Sequence, residues 1–453
     1  MADSRRASFE TGGGETTQRT ARSVATWAIA EHARRFPDLV PTALDTGGLD
    51  PRDAALAHAL YDAVVRRWLT LAAVLDGCLS QPFEQLEPKM RAVLLVGAAQ
   101  LLLMDRIPAH AALDESVAWA KTHIRPKAGG LVNAVLREVQ RRLAGERAQW
   151  TDQRDEIMLA SGGARALSEP FLASDPIDRL SQQVSLPAGV IRRWIDARGV
   201  ADARAAALAT MCEPPVVLNT QFARQIPAGA RPHEVRGHHV FEGTAAELSA
   251  VLAADENLWV QDAASASAIR SVAGRTPALI VDCCAGRGTK TRQLAATFPG
   301  ATIVAGDVDR ARARDLARLF KGHPRVEVLP VDQILLRTSG RADLVLLDVP
   351  CSNSGVLARR PEAKYRFGRD QTRRLAQIQR QLIADAVPML SASGAILYST
   401  CSLEPEEDAE PLAWAVEWHT FRIASTELLW PRSVPGADAA GYMDGAFSAV
   451  LER

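Results

Sequence analysis

Apolar residues in the first third of the chain recur at three- and four-residue spacing, which is the period of an α-helix. The pattern is clearest in "SVATWAIAEHARRF", "ALAHALYDAVVRRWLTLAAVLDGCL", "PKMRAVLLVGAAQLLLM", "IPAHAALDESVAWAK" and "AGGLVNAVLREVQRRLAG". Proline, glycine and aspartate clusters such as "DTGGLDPRD" separate these segments and mark turns. Because no strand-like run interrupts the helices, the pattern predicts an all-α domain over residues 23–145.

The pattern changes beyond Trp259, where short apolar runs alternate with amphipathic helices. The predicted strands are "ALIVDCC", "TIVAGDVD", "VEVLPVD", "ADLVLLDVP" and "AILYSTCS". Segments such as "TKTRQLAATF" and "RARARDLARLF" between them have helical spacing. Strand–helix alternation predicts a doubly wound, mostly parallel sheet of the Rossmann-like α/β class, with its ligand site at the carboxyl ends of the strands.

The remaining segments give the domain boundaries. Residues 1–22 are polar and predict a disordered tail. The polar stretch 146–167 predicts a linker, and residues 168–250 predict a small α+β module of two short helices and the strand "VVLNT". Residues 251–453 are then the α/β domain.

Composition excludes several classes of protein. Lys plus Arg and Asp plus Glu are equal in number, so the chain as a whole has no charge that favours nucleic acid, and any basic surface must be local. We find neither a secretory signal nor an apolar run long enough for a membrane helix, which predicts a cytoplasmic protein without a membrane partner. The six cysteines show no metal-ligand spacing, so we expect free thiols and no metal site.

A glycine loop follows the first predicted strand of the α/β domain. "DCCAGRGTKT" places Gly286 and Gly288 before a helix that opens at Thr289. Later predicted strands end in Asp307, Asp332 and Asp348, where a doubly wound domain presents carboxylates to ribose hydroxyls. Helix capping is the structural alternative for these acids. Since neither GxGxxG nor GxxxxGK[ST] is present, the loop favours an adenosine cofactor without a pyrophosphate, and S-adenosylmethionine is the obvious candidate.

Two cysteines also follow predicted strand ends. Cys351 lies in "DVPCSNSGVL" and Cys401 in "STCSLEPEED", so both are expected at the same edge of the sheet, beside Asp348. A lone cysteine is usually a small buried apolar residue. Two at one functional edge favour chemistry, because a thiolate can add to an electron-poor ring carbon.

Several motifs together resemble those of a known enzyme family. "DVPCSNSGVLARRPEAKYR" and "STCSLEPEED" resemble the paired Pro-Cys and Thr-Cys signatures of RNA cytosine carbon-5 methyltransferases. "VDCCAGRGTKT", "WVQDAASASA" and "YMDGAFSAVLER" are similar to that family's cofactor loop, the segment before it and its closing strand. "DRIPAHAALDESVAWAK" and "GGLVNAVLREV" resemble the NusB-like domain fused to bacterial 16S rRNA methyltransferases of the Sun/Fmu (RsmB) type.

The resemblance implies a role for each matching residue. Cys401 would add to carbon 6 of cytosine, Asp348 would hydrogen-bond the ring, and Cys351 would assist release of the methylated RNA. S-adenosylmethionine would be the cofactor and 16S rRNA the partner. The implied cofactor-binding residues are Cys284, Ala285, Gly286, Arg287, Gly288, Thr289, Lys290, Asp307, Asp332 and Asp348.

The cofactor loop departs from the family's pattern. This chain has Gly286-Arg287-Gly288-Thr289-Lys290 where the family has Ala-Pro-Gly-Gly-Lys. Thr289 thus stands where a positive φ is expected, which a β-branched residue tolerates poorly. Two alternatives stay open: a noncatalytic RNA-binding or ribosome-assembly factor with a degenerate loop, and the same chemistry on tRNA.

Basic and aromatic residues follow the Cys351 motif. Basic side chains bind phosphate, and aromatic rings stack on unpaired bases. This composition predicts an RNA-contact segment at Arg359, Arg360, Lys364, Tyr365 and Arg366, continuing through Phe367. A solvated helix face is the alternative. The target cytosine must be unpaired or flipped out of its stack to be reached.

Overall fold

A computed structural model describes residues 19–366 and 368–453 of the chain. Most of the predicted tail, residues 1–18, lies outside the described residues. Residues 21 and 22 already belong to the first helix, whose N-terminus is capped by the Thr20 hydroxyl accepting from the Ser23 backbone N–H. The helical domain therefore begins slightly earlier than predicted.

Five helices form the N-terminal domain, and their order confirms the predicted all-α arrangement. They are α1 (Ala21–Arg35), α2 (Pro51–Asp76), α3 (Pro88–Leu103), α4 (Ala109–His123) and α5 (Ala128–Arg142). Helix α3 is apolar on nearly all sides because it packs against all four of the others. An evenly apolar helix is the expected centre of a bundle.

Residues 146–167, predicted as a linker, form part of a small antiparallel sheet instead. Its strands are β1 (Leu143–Arg147), β2 (Glu156–Met158) and β3 (Ala164–Leu167), in the order β1-β3-β2. Strands this short contain no apolar run that distinguishes them from a loop. Tertiary packing buries Ile157, Met158 and Leu167 and so defines the sheet.

A helical and antiparallel module follows. It contains α6 (Pro176–Val184), α7 (Ala188–Arg198) and α8 (Val200–Ala209), one helix more than predicted. A four-stranded sheet then has the order β5-β6-β4-β7, from β4 (Val216–Asn219), β5 (Ala230–Pro232), β6 (His238–Phe241) and β7 (Trp259–Val260). Helix α9 (Ala245–Ala254) spans the predicted boundary at residue 250, which therefore falls too early.

The C-terminal domain confirms the predicted α/β class. Its seven-stranded sheet has the order β10-β9-β8-β11-β12-β14-β13. Strands β8 (Leu279–Asp282), β9 (Thr302–Ala305), β10 (Val326–Val328), β11 (Ala342–Asp348) and β12 (Leu390–Thr400) are parallel. Strand β14 (Ala446–Glu452) runs antiparallel to both β12 and β13 (Arg422–Leu429).

Helices cover both faces of this sheet. They are α10 (Ala263–Arg270), α11 (Thr289–Thr297), α12 (Arg310–Leu319), α13 (Val331–Thr338), α14 (Arg369–Ala386) and α15 (Ala409–His419). Two separate clusters of buried apolar side chains, one on each face, are consistent with a sheet covered on both sides. The carboxyl ends of β8, β9, β11 and β12 remain together at one edge, which we call the reaction edge.

Candidate active site

The glycine loop at the end of β8 has its positive φ angles at glycines only. Gly286 has a φ of 56° and Gly288 a φ of 93°, whereas Thr289 is the first residue of α11. The expected strain at Thr289 is therefore wrong, because the chain places its glycines where the left-handed region is needed. A Cβ at Gly288 would lie 2.9 Å from side-chain atoms of α12 and its flank, whereas a Cβ at Gly286 would enter open space.

Asp307 connects the loop to β9. Its carboxylate accepts hydrogen bonds from the backbone N–H groups of Gly286 and Asp309, both at 2.8 Å. Asp309 instead caps α12 through its own side chain. Val308 lies between the two acids and is 82% exposed, which is unusual for an aliphatic side chain. Val308 was not among the residues predicted from the sequence, although an apolar residue between two strand-end acids was a visible signal.

Asp332 lies away from a strand end. Strand β10 stops at Val328, and Asp332 falls in the first turn of α13, where its side chain is exposed. Pro330 ends the extended run and is the residue directly before the helix, which begins at Val331. The prediction that Asp332 ends a strand is therefore wrong.

Asp282, at the end of β8, is a further residue of the site that was not predicted from the sequence. Its side chain is fully buried, and its Oδ2 accepts from the Thr291 hydroxyl at 2.7 Å. Its Oδ1 has no hydrogen-bond partner among the residues that the structure describes. Burial, reinforced by the charge of Asp348, raises the pKa of Asp282 to about 7 despite the Thr291 bond and the charge of Lys290.

Lys290 and Asp348 form an ion pair at the reaction edge. The Lys290 Nζ lies 2.9 Å from Asp348 Oδ1 and 3.2 Å from the Ser265 hydroxyl. Burial by itself lowers the pKa of Lys290. The charge of Asp348 and its hydrogen bond, together with Cys401 and Asp282, have the opposite and larger effect, so the pKa lies above its usual value. Lys290 is thus a charged group of the site rather than a solvated first-turn lysine.

The structure brings the two motif cysteines into contact. Cys351 Sγ and Cys401 Sγ are 3.1 Å apart, and Cys401 Sγ lies 3.4 Å from Asn353 Oδ1. Both are free thiols. The hydrogen bond with Cys401, together with burial, raises the pKa of Cys351 well above its usual value. Cys351 is therefore held in its protonated form.

The predicted RNA-contact segment divides into buried and exposed residues. Lys364 and Tyr365 are buried and bond to backbone carbonyls of the helical regions, so their assignment as RNA contacts is wrong. Arg359 is half-buried between Asp262 and Asp444, at 3.3 and 2.6 Å. Arg360 is exposed and Arg366 partly so, while Phe367 lies outside the described residues. Among the described residues of this segment, Arg360 and Arg366 remain as candidate contacts.

Within residues 19–366 and 368–453, no group of three or more His, Cys, Asp or Glu side chains is arranged to hold a metal ion. No helix in the same part of the chain has the length and apolar character needed to cross a bilayer.

Comparison with known families separates the chain into two regions. Residues 272–433 match the model of the 16S rRNA methyltransferase RsmB/F family. Residues 19–141 match the NusB family. The first region contains the loop, both cysteines, Asp307 and Asp348, and the second coincides with α1–α5.

Individual relatives extend over nearly the whole chain. The ribosomal RNA small subunit methyltransferase B of Vibrio cholerae is 28% identical, covering 96% of this chain and 97% of its own. That of Erwinia tasmaniensis is 29% identical, covering 94% and 96%. The crystal structure of PH0851 shares the fold with a TM-score of 0.66 at 19% identity, over 97% of this chain and 100% of that one. The chain therefore contains a region of the 16S rRNA methyltransferase RsmB/F family, residues 272–433, after a NusB-family domain, residues 19–141, and is similar over nearly its whole length to ribosomal RNA small subunit methyltransferases B.

Proposed function

We propose that this protein methylates carbon 5 of a cytosine in 16S rRNA through a covalent adduct with Cys401. The observation that carries the proposal is the contact between two free thiols, 3.1 Å apart, beside the strand that ends in Asp348. One nucleophile is enough to form an adduct, so a second thiol at the same point suits a reaction that must also release its product.

The residues at the loop fit S-adenosylmethionine. The carboxylates of Asp307 and Asp282 offer acceptor oxygens to hydroxyl and ammonium donors, and Oδ1 of Asp282 has no partner within the described part of the chain. Gly286 faces open space, and Val308 offers an apolar surface to an adenine ring. When bound, S-adenosylmethionine supplies the methyl group.

The two thiols and the Lys290–Asp348 ion pair have separate roles in the reaction. Carbon 5 of cytosine is a poor nucleophile, and addition of the Cys401 thiolate to carbon 6 makes carbon 5 enamine-like. Asp348 hydrogen-bonds the ring edge and stabilises the adduct. The positive charge of Lys290 holds Asp348 in place through the 2.9 Å contact. A base then takes the proton from carbon 5, the electrons of that bond restore the carbon 5–carbon 6 double bond, and the carbon–sulfur bond breaks to return the Cys401 thiolate. Cys351 assists this release of the RNA.

The test is transfer of radiolabelled methyl from S-adenosylmethionine to small-subunit rRNA transcribed in vitro, with a tRNA transcript as the competing substrate. We expect the native protein to label cytosine in the rRNA, Cys401→Ala to be inactive, and Cys351→Ala to accumulate an RNA adduct that survives denaturation. Labelling of tRNA alone would identify the other substrate. A native protein that binds no S-adenosylmethionine in calorimetry would favour the assembly-factor alternative.

A further inference from the structure

One buried carboxylate connects the two cysteine segments. Glu407 lies beyond Cys401 in the loop before α15, and its side chain is fully buried. It accepts hydrogen bonds from the Ser352 backbone N–H at 2.9 Å, the Ser352 hydroxyl at 2.5 Å and the Ser402 hydroxyl at 2.6 Å. Ser352 directly follows Cys351, and Ser402 directly follows Cys401. A single side chain therefore bonds to the neighbour of each thiol.

Further contacts make this connection rigid. The Gly355 N–H donates to the Cys401 carbonyl at 2.8 Å, and the Leu403 N–H donates to the Ser354 hydroxyl at 2.7 Å. Gln379 of α14 donates to the Pro350 carbonyl at 3.0 Å and reaches Glu407 at 3.5 Å. Both cysteine segments are thus held from the same side, with Glu407 between them.

The hydrogen bonds around Glu407 favour a carboxylate at this position. Four donors converge on Glu407, and a carboxylate offers acceptor sites on both oxygens to all of them. A carboxamide would direct its N–H₂ either at the Ser352 N–H or at the two serine hydroxyls, which would then have to rotate in order to accept. Burial raises the pKa of Glu407, opposed by its bonds to Ser352 and Ser402, so the protein retains an acid at an unfavourable position. Buried charge of this kind is costly unless its hydrogen bonds are satisfied.

We propose that Glu407 is a positioning residue that sets the spacing of the two thiols by holding Ser352 and Ser402 together. For catalysis the inference rests on the proposed function, because only a reaction that uses both thiols depends on their separation. The thiol spacing itself can be measured without RNA or cofactor. The two claims can therefore fail separately.

The first measurement is disulfide formation between Cys351 and Cys401 by diamide. The azo group takes up the two thiol hydrogens and is reduced to the hydrazine as the sulfur–sulfur bond forms. Mass spectrometry of the linked peptides distinguishes this pair from the other four cysteines. We expect Glu407→Gln to slow the cross-link about 10-fold, since displacing the two loops by a fraction of an ångström removes the contact geometry.

Glu156→Gln is the matched control. Glu156 is also a fully buried carboxylate that accepts from a hydroxyl and a backbone N–H, here both of Thr151 at 2.8 Å. The partners of its side chain lie in and beside the small β1–β3 sheet and belong to neither cysteine segment. This variant should cross-link at the native rate even if its melting temperature falls. An equal slowing in both variants would show a general loss of structure and overturn the proposal.

The second measurement is methyl transfer to rRNA. We expect Glu407→Gln to lower kcat by about 100-fold with KM for RNA nearly unchanged, because misplacement of reacting groups by about 1 Å has effects of this size. In a Ser352→Ala/Ser402→Ala background, Glu407→Gln should cost less than in the native protein, because both of its hydroxyl partners are already gone. If Glu407→Gln does not fold, the double serine variant, which leaves the carboxylate in place, tests the same connection.

The outcomes separate the two claims. If folded Glu407→Gln, or the double serine variant, cross-links at the native rate and has the native kcat, the positioning role is overturned. A slowed cross-link in Glu407→Gln, with no methyl transfer by the native protein, would support the thiol-spacing role while the proposed function fails.

Discussion

Two lysines of this protein, Lys364 fully buried and Lys290 largely so, have opposite surroundings. Lys290 lies at the reaction edge against Asp348, and this carboxylate keeps its pKa raised although burial lowers it. Lys364 lies in a 3₁₀ turn, Pro361–Tyr365, where its amino group donates to the backbone carbonyls of Val184 at 2.9 Å and Arg66 at 3.3 Å. Burial, reinforced by Arg66 and Arg67, lowers the pKa of Lys364 well below its usual value.

The difference shows what a buried cation requires. A carboxylate offsets the loss of hydration, whereas carbonyl dipoles do so only in part. Lys290 therefore keeps a charge that can orient Asp348. Lys364 acts instead as a tether between α2, α6 and the segment beyond Cys351, a junction that we call the domain seam. Tyr365 belongs to it as well, because its hydroxyl donates to the Val65 carbonyl at 2.6 Å and contacts Ser185.

The largest effect is expected at Arg359, which belongs to neither lysine's surroundings but binds two buried acids. Arg359→Met leaves Asp262 and Asp444 buried without their cation, and removing one partner of such a pair costs about 3–5 kcal/mol of folding free energy. Chemical denaturation should show this loss. Arg360→Met, at the exposed neighbouring position, is the control and should change stability by less than about 0.5 kcal/mol. Equal stability of the two variants would mean that the pairing contributes nothing.

Lys290→Met and Lys364→Met test the comparison of the lysines directly. Loss of the Lys290 charge leaves Asp348 free to move, and we expect methyl transfer to fall by about 10²-fold while the fold remains intact. Lys364→Met should keep the activity of each folded molecule. Initial rates, normalised to the folded fraction from a melting curve, separate these results. If Lys364→Met lost as much activity as Lys290→Met, the domain seam would be part of the active site.

The lysines also show which features can be predicted from sequence. Strand-end positions follow from the local alternation of strands and helices, so the sequence alone predicts that Asp307, Asp348, Cys351 and Cys401 lie at one edge. Burial of Lys364 depends on Arg66 and its neighbours in α2, which are about 300 residues away in the chain, and no local pattern reports that contact. The three-stranded sheet at 143–167 was not predicted for a similar reason: packing against the rest of the protein, and not an apolar run, defines its strands.

Asp282 extends the comparison to an acid at the reaction edge. Its folded-state pKa of about 7 lies above the unfolded value, so the folded state binds the proton more tightly. This contribution to stability is complete below the unfolded pKa and is lost as the pH rises through 7. Between pH 5 and pH 7 we expect the free energy of unfolding of the native protein to fall by about 2 kcal/mol because of Asp282.

The measurement is denaturant unfolding at several pH values for the native protein and Asp282→Asn. The asparagine does not titrate, so the free energy of unfolding of the variant should rise relative to that of the native protein over this interval. Other groups, such as Asp444 with a pKa of about 6, titrate in both proteins and cancel in the difference. A difference that stays constant with pH would show that Asp282 is not the group that titrates.

The smallest effect is expected for the loss of an exposed cation in the segment beyond Cys351. Arg360 is exposed directly after Arg359, and a phosphate contact there would release about one counterion. Arg360→Ala should weaken rRNA binding a few-fold at moderate salt, lower the slope of log K against log salt by about 1, and leave the melting temperature unchanged. Filter binding at several salt concentrations measures the slope.

The matched control is Arg52→Ala, which removes the same charge from an exposed position in the first turn of α2 and should leave the slope as it is. An unchanged slope in Arg360→Ala would place the RNA elsewhere on the surface, and the segment beyond Cys351 would then act in the domain seam alone.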